Sequence, residues 1–303
     1  MRFSGHETFA IREGWLYKGL SSLDQYPNFF EEPFPADQLG VGTNMAKSIR
    51  HWLVATGLAE YRDQVAKSRS KRITVSEFGK MVLKEDPYFN NFGTWCFIHL
   101  NLVNSQDATA SWAWFFGSCA DTVFDRNNGL EQFRRWSLNS TAKHPSATTL
   151  QKDLNCLLAS YAQRPPTDNT DPEEAMDCPL WELGLLNYYR GSASFRTNRS
   201  PKKISAEAIG YALAVAAGQT EQGSGGREMT FEEAATIKGG PGRAFLMGPS
   251  ALYDAVSRAM SENSKSGLKI GSLVGQRVLK YGNQSPLEWV DGYYKRIGRN
   301  HAK

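Results

Sequence analysis

Three side chains near the start of the chain, His6, Glu7 and Arg12, are of types that together could cut or hold a phosphodiester. An imidazole or carboxylate can take a proton or bind a divalent cation, and a guanidinium can clamp phosphate oxygens. Adjacent residues on a strand point to opposite faces, however, so His6 and Glu7 need not share a ligand. Hydrogen bonds to a neighbouring loop are the ordinary role of such a pair. A second set, Asn44, Lys47, Ser48, Arg50 and His51, offers the groups that meet phosphates and base edges. A third, Lys67, Arg69, Lys71 and Arg72, places cations where a purely structural turn would favour Gly, Asn or Asp. His99 and His144 have no ligand partners nearby in sequence and read as packed or surface histidines. No Ser-His-Asp order, HExxH, zinc-deaminase or two-metal carboxylate pattern is present, and the GGPGR run at 239–243 lacks the GK[ST] ending of a phosphate loop.

The elements that must position these groups follow from spacing. Met45, Ile49, Trp52, Leu53 and Thr56 recur at three and four residues, which predicts a helix between the glycine stops Gly42 and Gly57, capped by Thr43 or Asn44. Lys47, Arg50, His51 and Val54 fall on its other side. A preceding helix over 12–23 turns Trp15, Leu16, Gly19, Leu20 and Leu23 inward and can support it. Leu58–Asp63 and Ile73–Val75 read as strands around the basic tip, and Ser76 caps a helix that stops at Asp86-Pro87. Helix, strand, basic hairpin, strand and helix is the order of a winged helix-turn-helix, whose second helix enters the major groove while the hairpin reaches a flanking backbone. An amphipathic surface helix with solvated cations is the plainer alternative.

Beyond the wing the chain reads as mainly α with small β-hairpins, an α+β protein in three parts: a winged-helix DNA-binding domain over 1–90, a helical domain over 91–165 and a C-terminal winged-helix-like domain over 175–303. Helices are expected over 93–103, 110–120, 129–138 and 148–161, and their tryptophans and phenylalanines read as core. Residues 164–174 (RPPTDNTDPEE) look like a linker. The basic hairpin and helix over 184–217 echo 57–83. Thr230 and Glu233 form a capping box, a strand is expected at 244–247, Ser250 caps a helix over 251–260, and the basic tail is partly helical.

The 303 residues carry a formal charge of +4, too little to specify an anionic partner without local patches. Cys96, Cys119, Cys156 and Cys178 show no CxxC, so reduced, mostly buried thiols and a cytoplasmic location are expected. No apolar run reaches the length of a signal peptide or membrane span, and no membrane association is expected.

Several long blocks carry a resemblance: FSGHETFAIREGWLYKG at 3–19, LGVGTNMAKSIRHWLVATGLAE at 39–60, DPYFNNFGTWCFIHL at 86–100, KDLNCLLASY at 152–161, DCPLWELGL at 177–185 and GGPGRAFL at 239–246. In these the chain resembles a bacterial family encoded beside PAPS-reductase-like sulfotransfer genes in DNA phosphorothioation and defence loci, and is similar to the B-component family of the Ssp system. That resemblance implies sulfur placement on one DNA strand, with the B component as DNA nickase, and partners in a cysteine desulfurase, an ATPase and an ATP-pyrophosphatase-like protein. It makes His6, Glu7 and Arg12 the catalytic candidates, because they lie in one of its blocks, although a shared block can equally be structural. The expected function is therefore DNA binding with nicking of one strand, assisted by Mg or Mn through ligands the sequence does not specify. The alternative is a non-catalytic adaptor or regulator that binds DNA and docks the sulfur-transfer enzymes. A homodimer is compatible with either.

Overall fold

The first helix starts at Trp15 rather than at Arg12: in the computed structural model α1 spans Trp15–Gln25 and is entered through Gly14, held in left-handed backbone at φ 76°. The structure describes residues 3–62, 72–105, 110–118, 121–140, 144–163, 178–218 and 227–301. Lys67, Arg69 and Lys71 of the expected basic tip, Cys119, and the 164–174 linker lie outside them. The described chain is mainly helical with three small antiparallel sheets. It divides into two units, one of Met1–Asn91 with Asn101–Thr197 and one of Phe92–Leu100 with Asn198–Lys303.

In the first unit α1 buries Trp15, Leu16, Gly19, Leu20 and Leu23, the face its spacing predicts. Gly19 carries no side chain because a Cβ there would run into Ile49. α2 (Pro35–Leu39) is ended by Gly40 at φ 65°, and α3 (Thr43–Ala55) follows after a short turn. Neither Thr43 nor Asn44 caps α3: Gly42 is the N-cap, with no side-chain hydrogen bond. Ala46, Ile49, Trp52 and Leu53 are buried. β1 (Ala59–Tyr61) pairs antiparallel with β2 (Ile73–Val75), Glu60 opposite Thr74. Ser76 then caps α4 (Glu77–Glu85) by accepting the Gly79 N–H, while its hydroxyl donates to the Gly57 carbonyl at 2.6 Å.

α5 (Phe92–Asn104) is followed by α6 (Ala110–Ser118), β3 (Val123–Phe124), α7 (Arg126–Ser140) and α8 (Ala147–Tyr161). The aromatic residues expected to be core are core: Trp112, Trp114, Phe115 and Phe116 are buried, and the Trp112 indole N–H donates to the Tyr161 hydroxyl at 2.8 Å. β4 (Leu186–Tyr189) and β5 (Ser194–Thr197) form a hairpin that joins β3 in the order β3-β5-β4. The helix expected to complete a module with this hairpin, α9 (Ala206–Gly218), belongs to the second unit. The echo over 184–217 is therefore not one structural module.

In the second unit α9 is followed by β6 (Arg227–Thr230), α10 (Phe231–Thr236), α11 (Pro241–Ala244), α12 (Pro249–Glu262), β7 (Lys269–Leu273), β8 (Gln276–Tyr281) and α13 (Pro286–His301). The sheet order is β6-β8-β7. Thr230 and Glu233 make the expected capping box. Two expectations fail. Residues 244–247 form no strand, because Pro241 starts a helical turn that ends at Ala244 and Leu246 sits at φ 56°. α12 begins at Pro249 with Gly248 as its cap, so Ser250 lies inside the helix. A part-buried ion pair holds α9 to α13, with Arg296 donating to both carboxylate oxygens of Glu207 at 2.7 and 3.1 Å and Asn263 donating to one of them at 2.8 Å.

Candidate nucleic-acid interface

The opening block folds as a series of turns rather than a strand, with Ser4, Glu7 and Thr8 at φ 56°, 48° and 77°. One oxygen of Asp153, on α8, accepts the Ser4 backbone N–H and lies 2.9 Å from His6 Nε2. The Thr8 N–H donates to His6 Nδ1 at 3.1 Å. A backbone donor there requires a lone pair on Nδ1, so the proton sits on Nε2 and is donated to Asp153. The His6 carbonyl accepts the Ser48 hydroxyl at 2.9 Å, and the Phe9 carbonyl accepts the Trp52 indole N–H at 3.0 Å. His6 also stacks on Trp52, with ring centroids 6.0 Å apart. A Cβ on Gly5 would strike the ring of His51.

These contacts give the block a positional job: it clasps α3 to α8. His6 is only 3% exposed and both its ring nitrogens are engaged, so it offers no base to a phosphodiester at the surface. Ser48 and His51 are likewise buried, which withdraws them from the set that could touch DNA in this conformation. Their helical positions look outward only if the opening block is left out of the packing. Glu7 is half-buried.

Arg12 does something different. Its guanidinium carbon lies 5.6 Å from the Phe9 ring centroid and 5.4 Å from that of Trp15, so two aromatic faces hold it. It lines a groove of 830 Å³ whose wall includes Lys18, Thr43, Asn44 and Met45. The first-turn amides of α3 open there with no side-chain cap, at the positive end of the helix dipole. The structure thus brings together Arg12, chosen as a catalytic candidate, and Asn44, chosen as a DNA contact. Lys47 is exposed and donates to the Asn44 side chain at 3.3 Å. Arg50 is half-buried, and Arg72, at the start of β2, is exposed. Lys18, which reaches toward the Leu39 carbonyl at 3.5 Å, was not among the sequence candidates. Its signal is its place one turn after Trp15, on the same face of α1. Glu13 and Asp37 also line the groove, so its charge is mixed.

Among the described residues no group of three or more His, Cys, Asp or Glu side chains is placed to hold a metal ion. His6 and Asp153 are a pair buried against each other. The described residues thus present no ready-made ligand cluster for a divalent ion.

A model for a family described as protein of unknown function (DUF4007) matches residues 3–294. The chain belongs to the DUF4007 family. None of the curated proteins compared matches this DUF4007 chain. Two solved structures do: an SspB crystal structure, at 25% identity and TM-score 0.82, and a magnesium-ion-bound SspB crystal structure, at 25% identity and TM-score 0.83. Each likeness covers 97% of this chain and 88% of the other. The resemblance seen in the sequence blocks therefore extends to the fold over nearly the whole chain, and the protein is SspB-like. No helix among the described residues is long and apolar enough to cross a membrane.

Proposed function

We propose that this protein is a DNA-binding component of a bacterial DNA phosphorothioation and defence system, gripping the sugar-phosphate backbone at the groove where α3 begins. The observation that carries this reading is the meeting of Arg12, Lys18, Asn44 and the uncapped first turn of α3 in one concavity. Arg12 is the strongest of these groups, because Phe9 and Trp15 hold its guanidinium in place before a phosphate arrives. The order α1, α2, α3, β1, β2, α4 supports a helix-turn-helix flanked by an antiparallel strand pair, with α3 in the major groove. Asn44, Lys47 and Arg50 then face the duplex. Likeness to SspB supports the pathway, in which a cysteine desulfurase, an ATPase and an ATP-pyrophosphatase-like protein would be the partners.

Titrating a fluorescent duplex across a salt series tests the reading. Arg12→Gln and Lys47→Gln should each flatten the slope of log K against log salt by about 0.9, the loss of one phosphate contact. A duplex affinity that these two changes leave untouched overturns the proposal.

Strand nicking is the second reading, favoured by the magnesium ion in one of the similar structures. Supercoiled plasmid incubated with the full chain and magnesium or manganese should open, and Glu7→Ala should prevent it. Plasmid that stays closed under every metal leaves the adaptor role.

A further inference from the structure

β7 and β8 form a ribbon that outruns its sheet. β6 pairs with β8 from Arg227 opposite Tyr281 to Thr230 opposite Val278, whereas β7 and β8 stay paired through Ser272 opposite Arg277 and Leu273 opposite Gln276. Val274 and Gly275 close the ribbon, at φ 49° and 81°. Positive φ at both central residues defines a two-residue turn that ordinarily takes Asn, Asp or Gly first. Valine is a poor choice there, since a β-branched residue is strained in left-handed backbone. Among the described residues no packing offsets this: Val274 is 96% exposed and Leu273 beside it is 51% exposed.

One cation stands beside this aliphatic tip: Arg277, opposite Ser272 in the ladder, is exposed and lies 4.5 Å from the ring centroid of Tyr253 on α12. The order β6, α10, α11, α12, β7, β8, with β8 in the middle of the sheet and α11 a single turn between α10 and α12, resembles a helix-turn-helix followed by a hairpin wing. We propose that this ribbon is a second duplex-DNA surface, in which Leu273 and Val274 wedge into the minor groove while Arg277 meets a phosphate beside it. Apolar side chains entering the minor groove partly unstack a base step, and flanking cations supply the affinity. The proposal shares its ligand class with the reading above but none of its residues.

The test uses the full chain and a duplex carrying 2-aminopurine, whose fluorescence rises when its neighbours unstack. Val274→Asn suits the turn and should leave the melting temperature equal or higher, yet lower duplex affinity roughly 5-fold and abolish the fluorescence rise. Arg277→Gln should reduce the salt slope by about 0.9. If both variants bind and unstack as the unaltered protein does while Arg12→Gln weakens binding, the ribbon proposal falls and the α3 groove stands. If Arg12→Gln is silent and Val274→Asn is not, the reverse holds. Unaltered protein that fails to bind duplex overturns both. A ribbon whose Val274→Asn change abolishes self-association in sedimentation, with DNA affinity intact, contacts a second copy and also overturns the proposal.

Discussion

Asp153 is the residue on which the opening block depends, since one of its oxygens receives both the Ser4 amide and the His6 ring. Removing it strands the buried His6 ring donor and the half-buried Ser4 amide, so Asp153→Ala should lower unfolding free energy by about 2–3 kcal/mol in a denaturant titration, while Glu7→Ala should change it little. His99 makes a second prediction at this scale. Burial pulls it down to about 4, against the opposing pull of its hydrogen bond to the Ala244 carbonyl. The unfolded chain then takes up this proton first, near the ordinary histidine value of about 6.5. Stability is complete above that value and falls as pH drops from 6.5 toward 4, by at most about 3 kcal/mol from this group. Melting curves should show that portion of the acid slope disappear in His99→Gln. The sequence could nominate Arg12, as a guanidinium able to clamp phosphate that lies in a block carrying the family resemblance, but not its two aromatic neighbours in space. It could not exclude His6, which a partner on α8 nearly half the chain away buries, nor Ser48 and His51, which the opening block covers. Nor could it find Lys18 before Trp15 was known to form a groove wall.

Elements were legible where local chemistry sets their ends. β2, the stop of α4 at Asp86 and the Thr230–Glu233 box follow from short-range rules, and the structure bears them out. Failures came where an apolar run fits two periods: residues 244–247 look like a buried strand until Pro241, fixed near helical φ, starts a turn ahead of them. The β7–β8 hairpin was missed because its turn is Val-Gly, not Asn-Gly. Packing between elements makes its own prediction. A methyl group on Gly19 meets Ile49, and one on Gly79 meets the Leu58 backbone carbonyl. Backbone cannot move aside as a side chain can, so Gly79→Ala should cost more than Gly19→Ala, with the latter near 1–3 kcal/mol in thermal unfolding. Glu207→Ala, leaving Arg296 and Asn263 without their acceptor, should cost about 2 kcal/mol.

At the scale of the whole molecule, fold class was readable from composition and periodicity, and the family from long shared blocks. The division of the chain was harder to read. A sequence is taken in order, whereas the structural units interleave: residues 92–100 go with 198–303, and 101–197 with 1–91. No compositional border marks such an exchange. The clasp between Ser4, His6 and Asp153 has a temporal consequence for the same reason. Its partners are separated by 149 positions, so on a ribosome adding about 5–20 residues per second the first turns wait roughly 7–30 s for their acceptor to be made. Nascent chains arrested before residue 153 should leave the amino-terminal segment open to protease, and chains released after α8 has emerged should protect it.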